Sequence, residues 1–331
     1  MNCPYCYNNS SFNGTFLNKE KILNIIDQCF RVKIREITIS GGEPFLHPNI
    51  YEIIDYANSK NIKVRIITNL SLVRLEDGLK ILKAGNYFQL TLDSTDKIQN
   101  DGLRGLGTFD RTVSFLEAAN KEGISKQIVL RMNLSKLNLD KVVDFINLSL
   151  KFKIKHISVA FIANCGRGKN YEYAFSYNKD LNQMIEIMQK LKKFSSELKE
   201  KIDINYNNLE DQVSCPIFTK GSISLNPRID PVGDVFFCGY FFGKENALGN
   251  VFDKELEEII NSSTFQKFCE KVRERKNNKR CDSCLYNKVC SCGCPAISYM
   301  NSDNILDIDT QCSMIKTFMK NRIKRNKGLI Q

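Results

Sequence analysis

The amino-acid sequence predicts an α/β protein, with a partial barrel of strands and helices followed by a smaller cysteine-rich α+β domain. Two observations support this prediction. Short apolar runs alternate with amphipathic helices from about residue 18 to 160, a pattern typical of βα units around a parallel sheet. Nine of the thirteen cysteines then lie between Cys215 and Cys312. We therefore expect a core over 1–175, a bridging helix over 176–212 and a cysteine-rich domain over 213–331.

The predicted strands are short and rich in β-branched residues. They fall at 34–40, 63–69, 87–92, 127–132 and 156–160. The predicted helices have apolar residues at helical spacing and fall at about 22–30, 50–59, 109–122 and 139–152. Gly123 supplies a C-terminal stop for the third of these helices. A long Lys-rich helix over about 178–201 is expected to form the bridge. Five strands are too few for a closed eight-stranded barrel.

The composition is ordinary for a globular protein, with 42% hydrophobic and 26% charged residues. No apolar run approaches the roughly 18 residues of a membrane span, and the N-terminus lacks a signal-peptide layout. We therefore expect no membrane partner and a cytoplasmic location. The net charge of +11 would suit nucleic acid, but Lys and Arg are dispersed except in the tail 316–327. A solvated surface is the favoured interpretation, and nucleic acid is an unlikely partner.

The placement of the cysteines indicates metal or cluster ligation rather than disulfide bonds, because a cysteine-poor half precedes the dense region. Near the N-terminus, Cys3-Pro-Tyr-Cys6 forms a CxxC pair. Zinc, a redox dithiol and an iron–sulfur cluster are all compatible with such a pair. Cys29 and Cys165 are isolated, and we expect each to be a small buried residue.

The first predicted strand ends in Gly41-Gly42-Glu43-Pro44. Functional groups of βα barrels lie at the C-terminal ends of strands. Glycines there let the backbone approach a ligand closely. Taken alone, the motif is equally compatible with a simple βα turn.

Further short motifs follow the CxxC pair in a fixed order. They are Thr68-Asn69, Thr91-Leu92-Asp93, Arg104-Gly105, Gly107-Thr108-Phe109-Asp110 and Gly166-Arg167-Gly168. With the Gly-Gly-Glu-Pro motif, this series resembles the radical S-adenosylmethionine (SAM) superfamily. The resemblance implies a partial (βα)6 barrel in which three cysteines ligate a [4Fe–4S] cluster. SAM would bind the fourth iron and be cleaved reductively to a 5′-deoxyadenosyl radical.

The resemblance also assigns residues to the cofactors. Cys3 and Cys6 would ligate the radical cluster. The loop formed by Gly41, Gly42, Glu43 and Pro44 would bind the methionine amino group of SAM. The remaining candidates would contact the ribose or the carboxylate of SAM, and they are Thr91, Asp93 and Arg131.

The sequence departs from the family pattern CxxxCxxC at its first cysteine, which would fall two positions before Met1. The strand that precedes this loop in the family is missing as well. We expect that the natural protein starts upstream of Met1. The alternative is a degenerate member that holds auxiliary clusters but cannot cleave SAM.

The C-terminal region carries the most specific pattern. The pattern begins with Cys215 and Gly233-x4-Cys238. The run Cys281-x2-Cys284-x5-Cys290-x3-Cys294 follows, and seventeen residues separate Cys294 from Cys312. This spacing resembles the SPASM domain of peptide-modifying radical SAM enzymes. Tetrahedral zinc is the alternative, although the pattern has more ligands than one zinc ion needs.

The SPASM resemblance implies two interleaved auxiliary [4Fe–4S] clusters. Auxiliary cluster II would take Cys281, Cys284, Cys290 and Cys312. Auxiliary cluster I would take Cys215, Cys238 and Cys294. The stretch 216–237 contains no further cysteine, so the fourth ligand of cluster I stays open. An open iron could bind a substrate thiol; alternatively, Cys269, Cys292, water or a small thiol completes the site.

The expected function is radical modification of a peptide or protein side chain, by thioether or carbon–carbon crosslinking or by oxidation. A reductant such as flavodoxin or ferredoxin is the expected partner. The related anaerobic sulfatase-maturing enzymes carry an aspartate where this chain has Gly239, which argues against their activity. The alternative from another class is a zinc-stabilised binding protein. The two histidines, His47 and His156, are expected to be structural or solvated.

Overall fold

The computed structural model describes residues 3–8, 16–163, 165–177, 179–206, 215, 226–287, 290, 292–317 and 319–320. The chain divides into two units. One comprises Met1–Phe175 with Ile187–Tyr206, and the other comprises Ser176–Glu186 with Asn207–Gln331. Among the described helices, none combines the length and hydropathy of a bilayer-spanning segment.

The first unit is built on a parallel sheet of six strands that pair in chain order. The strands are β1 Glu36–Ile39, β2 Lys63–Ile67, β3 Tyr87–Thr91, β4 Ile128–Leu134, β5 His156–Phe161 and β6 Asp203–Asn205. The predicted α/β class is confirmed, and the first five strands match the predicted ones. The count of five is wrong, because β6 follows the long bridging helix and pairs with β5. Its three residues include only one apolar side chain, Ile204, which is too little for a periodicity argument to detect.

Seven α-helices accompany the strands. They are α1 Lys19–Arg31, α2 Ile50–Ser59, α3 Leu75–Lys83, α4 Lys97–Arg104, α5 Thr108–Lys121, α6 Val142–Lys151 and α7 Leu181–Glu197. Two of them, α3 and α4, were not predicted from the sequence. Helix α3 contains Gly78, whose position would bring a Cβ within 2.6 Å of the Phe115 ring. Gly78 weakens the helical pattern of the sequence, but it is required for the close packing of α3 on α5.

The two faces of the parallel sheet differ in polarity. Along β2, β3 and β4, buried residues alternate with half-exposed ones. The buried set is apolar and includes Val64, Phe88 and Leu130. Strand register brings polar residues of the other set side by side, since Thr91 pairs with Arg131 and Arg131 with Ser158. We call this second surface the polar face, and its polar residues include Arg65, Gln89, Thr91, Arg131, Asn133 and Ser158.

The second unit contains a three-stranded antiparallel sheet and four described helices. The strands are β7 Arg228–Ile229, β8 Asp234–Phe236 and β9 Gly249–Asn250. The helices are α8 Leu256–Ile260, α9 Ser263–Glu274, α10 Lys279–Asp282 and α11 Pro295–Ser302. An aromatic core lies between the sheet and α9, with Phe237 stacked 6.1 Å from Phe265 and Phe241 edge-on to Phe268 at 5.3 Å. Further helical residues at 312–317 follow the last cysteine-rich loop.

Candidate functional site

The N-terminal cysteine loop, residues 3–8, is held by the segment that follows β5. The backbone N–H of Arg167 donates to the Cys6 carbonyl at 3.0 Å, and its Nε donates to the Cys3 carbonyl at 2.9 Å. Gly166, at φ +53°, lies so close that a Cβ there would be 2.4 Å from the Tyr7 oxygen and 2.5 Å from the Cys6 oxygen. The Gly-Arg-Gly motif therefore holds the loop that carries both cysteines by hydrogen bonds and close backbone contact. Only glycine fits at residue 166.

The same loop is tied to the ends of β3 and β4 through Tyr5. This buried side chain donates its hydroxyl hydrogen to the Asp93 carboxylate. The other carboxylate oxygen of Asp93 accepts from Asn133 N at 2.7 Å and Asn133 Nδ2 at 3.1 Å. The Arg104 guanidinium lies 3.6 Å from Asp93. Burial raises the pKa of Tyr5 well above its usual value, and the neighbouring Asp93 charge raises it further, so the hydroxyl remains the donor.

Asp93 is thus a completely buried junction with protein partners on both carboxylate oxygens. Its predicted contact with SAM stays a prediction. The structural role was missed because the sequence gives no indication that Tyr5, 88 residues away, reaches this carboxylate.

Glu43 links the loops after β1 and β2. Its buried carboxylate accepts from the Thr68 hydroxyl at 2.7 Å, Asn69 N at 2.8 Å and Phe45 N at 3.3 Å. Burial raises its pKa above the usual value of 4.5, although these hydrogen bonds oppose the shift. Two motifs that the sequence analysis identified separately, Gly-Gly-Glu-Pro and Thr-Asn, therefore form one structure.

The glycines before Glu43 leave space beside the backbone. Gly41 has a φ of +143°, which favours glycine, and a Cβ at this residue would meet nothing within 4 Å. Gly41 and Gly42 are both exposed, whereas Pro44 is buried and begins a 3₁₀ helix, Pro44–Leu46. An exposed backbone next to a fixed carboxylate is compatible with the predicted binding of an amino group.

Thr91 and Arg131 lie side by side on the polar face, because their Cα atoms are paired between β3 and β4. Arg131 donates from Nε to Asn133 Oδ1 at 2.9 Å and from Nη1 to the Ser158 hydroxyl at 3.4 Å. All the candidates assigned to SAM lie on the sheet or in the loops that leave the carboxyl ends of its strands, and the loop that carries Cys3 and Cys6 is bonded to one of them through Tyr5 and Asp93. The fold thus collects them at one edge, as expected for a βα architecture.

The other isolated side chains of this unit are structural in character. Cys29 and Cys165 are buried, and burial raises the pKa of each thiol to about 11. The charge of nearby Cys6 contributes to the shift at Cys165. His47 Nε2 bonds to the Leu17 carbonyl at 2.9 Å. His156 lies 3.2 Å from Asp203 on the neighbouring strand.

In the second unit, the cysteines assigned to auxiliary cluster II line one cavity of about 560 Å³. They are Cys281, Cys284, Cys290 and Cys312. Within the described part of the chain, no three Cys, His, Asp or Glu side chains converge closely enough to hold a single metal ion. A cavity of this size with thiols distributed around it suits a cluster of several irons better than one tetrahedral zinc ion.

Cys238 and Cys294, assigned to auxiliary cluster I, are close enough for their charges to interact. Burial raises the pKa of Cys238, and burial together with Asp309 raises that of Cys294 to about 12. Cys294 N donates to Asp309 Oδ2 at 2.6 Å. Cys215 is described as half-buried, but the residues around it in sequence lie outside the described residues. Its place in this set stays a prediction.

The two cysteines of this unit that were assigned to neither cluster, Cys269 and Cys292, lie in different surroundings. Cys269 is buried in α9, where burial is the main cause of the rise in its pKa and no thiol of the described residues is among the causes. Cys292 lines the cluster II cavity, within hydrogen-bonding distance of Cys281, at a φ of +60°. Sequence reasoning did not find two buried charged residues here, Arg275 and Asp309. No motif marks them, and only their proximity to Cys281 and Cys312 in the sequence could have drawn attention to them.

The sequence was compared with protein-family patterns. The pattern of the radical SAM superfamily matches residues 1–149. The pattern of the SPASM iron–sulfur cluster-binding domain matches residues 223–285.

Three curated proteins are similar over most of this chain. The subtilosin biosynthesis protein AlbA of Bacillus subtilis is 29% identical over 89% of this chain and 64% of its own length. The AdoMet-dependent heme synthase of Methanosarcina barkeri is 26% identical over 94% of this chain and 92% of its own length. The mycofactocin maturase MftC of Mycobacterium tuberculosis is 26% identical over 94% of this chain and 79% of its own length. This chain thus spans just under two thirds of the length of AlbA.

Solved structures share the fold. One is anSMEcpe with bound AdoMet and the Cp18Cys peptide, with a TM-score of 0.75 at 16% identity, covering 99% of this chain and 94% of that one. Another is Streptococcus suis SuiB bound to its precursor peptide SuiA, with a TM-score of 0.72 at 18% identity, covering 93% and 71%.

Proposed function

Because the chain belongs to the radical SAM superfamily and carries a SPASM domain, we propose that it modifies a side chain of a peptide or protein substrate by radical chemistry. The observation that carries the proposal is the combination of an N-terminal cysteine loop held by hydrogen bonds with a C-terminal cavity lined by five thiols. The cysteine loop supports generation of a radical. The cysteine-lined cavity supports auxiliary clusters of the kind found in maturases.

When bound, the cluster and SAM supply a 5′-deoxyadenosyl radical that abstracts hydrogen, and the auxiliary clusters supply sites for an electron. The residues of the chain hold and orient these groups. Cys3 and Cys6 present their thiols from a loop fixed by Arg167. The Glu43 side chain joins the glycine loop that we assign to the SAM amino group to the loop after β2.

The polar face supports a peptide as the substrate. It offers half-exposed donors and acceptors, among them Gln89, Arg131 and Ser158, that can bond to a peptide backbone. Two of the similar proteins are, by name, a bacteriocin biosynthesis protein and a maturase, and SuiB binds a precursor peptide. A tetrapyrrole is the second candidate, because the heme synthase matches over 92% of its length. The donors and acceptors of the polar face favour a peptide over a large flat macrocycle, which binds mainly to apolar walls.

Thioether formation is the modification that we favour. We assign Cys215, Cys238 and Cys294 to auxiliary cluster I, which leaves one position for a substrate thiol whose pKa the metal would lower. Gly239, next to Cys238, supplies no base, and a Cβ there would meet nothing within 4 Å. The serine or cysteine oxidation typical of sulfatase maturation is therefore disfavoured.

The proposal includes a low-potential reductant such as flavodoxin or ferredoxin, because SAM cleavage consumes an electron. A reducing compartment such as the cytosol fits the thirteen cysteines, since no disulfide bond forms among the described residues.

The test is a peptide assay under anaerobic conditions. The reconstituted protein is incubated with SAM, reductant and a cysteine-containing peptide encoded beside its gene, and the products are analysed by mass spectrometry. We expect a peptide lighter by two hydrogens, together with deuterium transfer from labelled peptide into 5′-deoxyadenosine. The same peptide with serine in place of cysteine should not be crosslinked. Consumption of a tetrapyrrole with every peptide unchanged would contradict the proposal.

A further inference from the structure

Arg275 is the largest fully buried side chain of the described protein, with 1% of its surface exposed. It follows directly after α9, and its guanidinium is surrounded by neutral acceptors. Nη1 donates to the Ile305 carbonyl at 2.6 Å, and Nη2 donates to the Cys292 carbonyl at 2.6 Å and the Ser298 hydroxyl at 3.0 Å. Nε is buried and has no hydrogen-bond partner among the described residues. The side chain is therefore fixed in place but incompletely satisfied.

A buried guanidinium is stable only when an anion compensates its charge. No carboxylate oxygen among the described residues lies within 4.0 Å of it. Asp309 attracts it from a greater distance, but the Asp309 carboxylate accepts from Cys294 N at 2.6 Å and Gln311 N at 2.7 Å. The apoprotein thus supplies Arg275 with hydrogen bonds but with no direct ion pair.

The position of Arg275 indicates where further negative charge would come from. Besides Asp309, three thiols interact with its charge, namely Cys294, Cys292 and Cys281. Cys281 lines the cluster II cavity, whereas Cys294 belongs to the set assigned to cluster I. Arg275 is therefore near enough to a member of each set for their charges to interact. A [4Fe–4S] core held by thiolates is anionic, and it becomes more anionic on reduction.

We propose that Arg275 is the resident counter-cation of both auxiliary clusters and raises their reduction potentials. This proposal rests on the cluster sites assigned above. A fixed positive charge in a site of low dielectric stabilises the reduced, more negative cluster over the oxidised one. The uncompensated guanidinium would also favour uptake of the anionic clusters by the domain.

The test is a potentiometric titration followed by absorbance and electron paramagnetic resonance. It is carried out on full-length protein with Cys3→Ala and Cys6→Ala, so that only auxiliary clusters contribute to the signal. Arg275→Gln keeps two donors but removes the charge, and Arg275→Lys keeps the charge. Arg273→Gln is the matched control, because Arg273 is an exposed arginine of α9 two residues away, where water screens its charge.

With full iron content, Arg275→Gln should lower at least one auxiliary potential by 59 mV or more, a tenfold change in the ratio of oxidised to reduced cluster. The auxiliary reduction potentials of Arg275→Lys and Arg273→Gln should differ from those of the parent protein by less than 59 mV. Loss of iron in Arg275→Gln but not in Arg275→Lys would also support the charge role.

Full iron with unchanged potentials in Arg275→Gln would overturn the proposal. Equal loss of iron in Arg275→Gln and Arg275→Lys would overturn it too, because shape rather than charge would then be decisive. Absence of iron from the parent protein would instead overturn the cluster sites themselves, and the assignment of Arg275 with them.

Discussion

Replacing Gly166 with alanine should displace the N-terminal cysteine loop without direct contact with any cofactor. The new Cβ would lie 2.4 Å from the Tyr7 carbonyl oxygen and 2.5 Å from that of Cys6, whereas ordinary contacts begin at 3.4 Å. Both neighbours are backbone atoms, so no side chain can rotate out of the way. The loop must therefore retreat by about 1 Å, a displacement that can cost on the order of 100-fold in rate when reacting groups are misplaced.

The expected loss of stability has two parts. A residue with a Cβ at positive φ costs about 1–2 kcal/mol, and forced overpacking adds about 1–3 kcal/mol. Gly123→Ala is the matched control, because Gly123 has a φ of +72° but a Cβ there would meet nothing within 4 Å. Gly123→Ala should therefore lose only the stability of about 1–2 kcal/mol that a Cβ at positive φ costs.

The assay compares both variants with the parent protein for iron content, for the signal of the radical cluster and for 5′-deoxyadenosine formation. Gly166→Ala should lower SAM cleavage about 100-fold and weaken the radical cluster, whereas Gly123→Ala should leave both near the parent values. Equal SAM cleavage in the two variants would refute the argument that the Gly-Arg-Gly segment holds the cysteine loop.

Three further predictions concern other residues. Burial raises the folded-state pKa of Glu43 above 4.5, so the folded protein binds the proton more tightly and loses stability as pH rises through 4.5 towards the folded pKa. Glu43→Gln should flatten that part of the curve of unfolding free energy against pH, and an unchanged slope would contradict the assigned burial effect. Cys284→Ala should lower iron content and the stability of the second unit while SAM cleavage without substrate largely survives; parallel loss of both would show that the two sites are not separable. Cys269→Ala should keep the full iron content and cost about 1 kcal/mol of stability, and loss of iron would make Cys269 a ligand.

Much of the fold could be predicted because its signals are local. Helix α2 begins and ends where the periodicity places it, and strands β1 to β5 are short apolar runs that the sequence shows even where the helix between them was missed. The strand ends were also informative, since the carboxyl edge of a parallel sheet collects whatever follows each strand. Glu43 and Thr68 meet for this reason.

The remainder depended on long-range packing that a single sequence does not encode locally. The contacts that make Asp93 a buried junction for Tyr5 and Asn133 were not predicted from the sequence. The described part of the second unit contains an aromatic core around Phe237 and Phe265, so cluster binding adds to a folded core rather than replacing it.

Metal analysis of the anaerobically reconstituted protein tests the central claim most directly. We expect a brown protein with roughly ten to twelve irons and a similar amount of acid-labile sulfide per chain, at four irons per cluster. A colourless protein with stoichiometric zinc and no labile sulfide would contradict it.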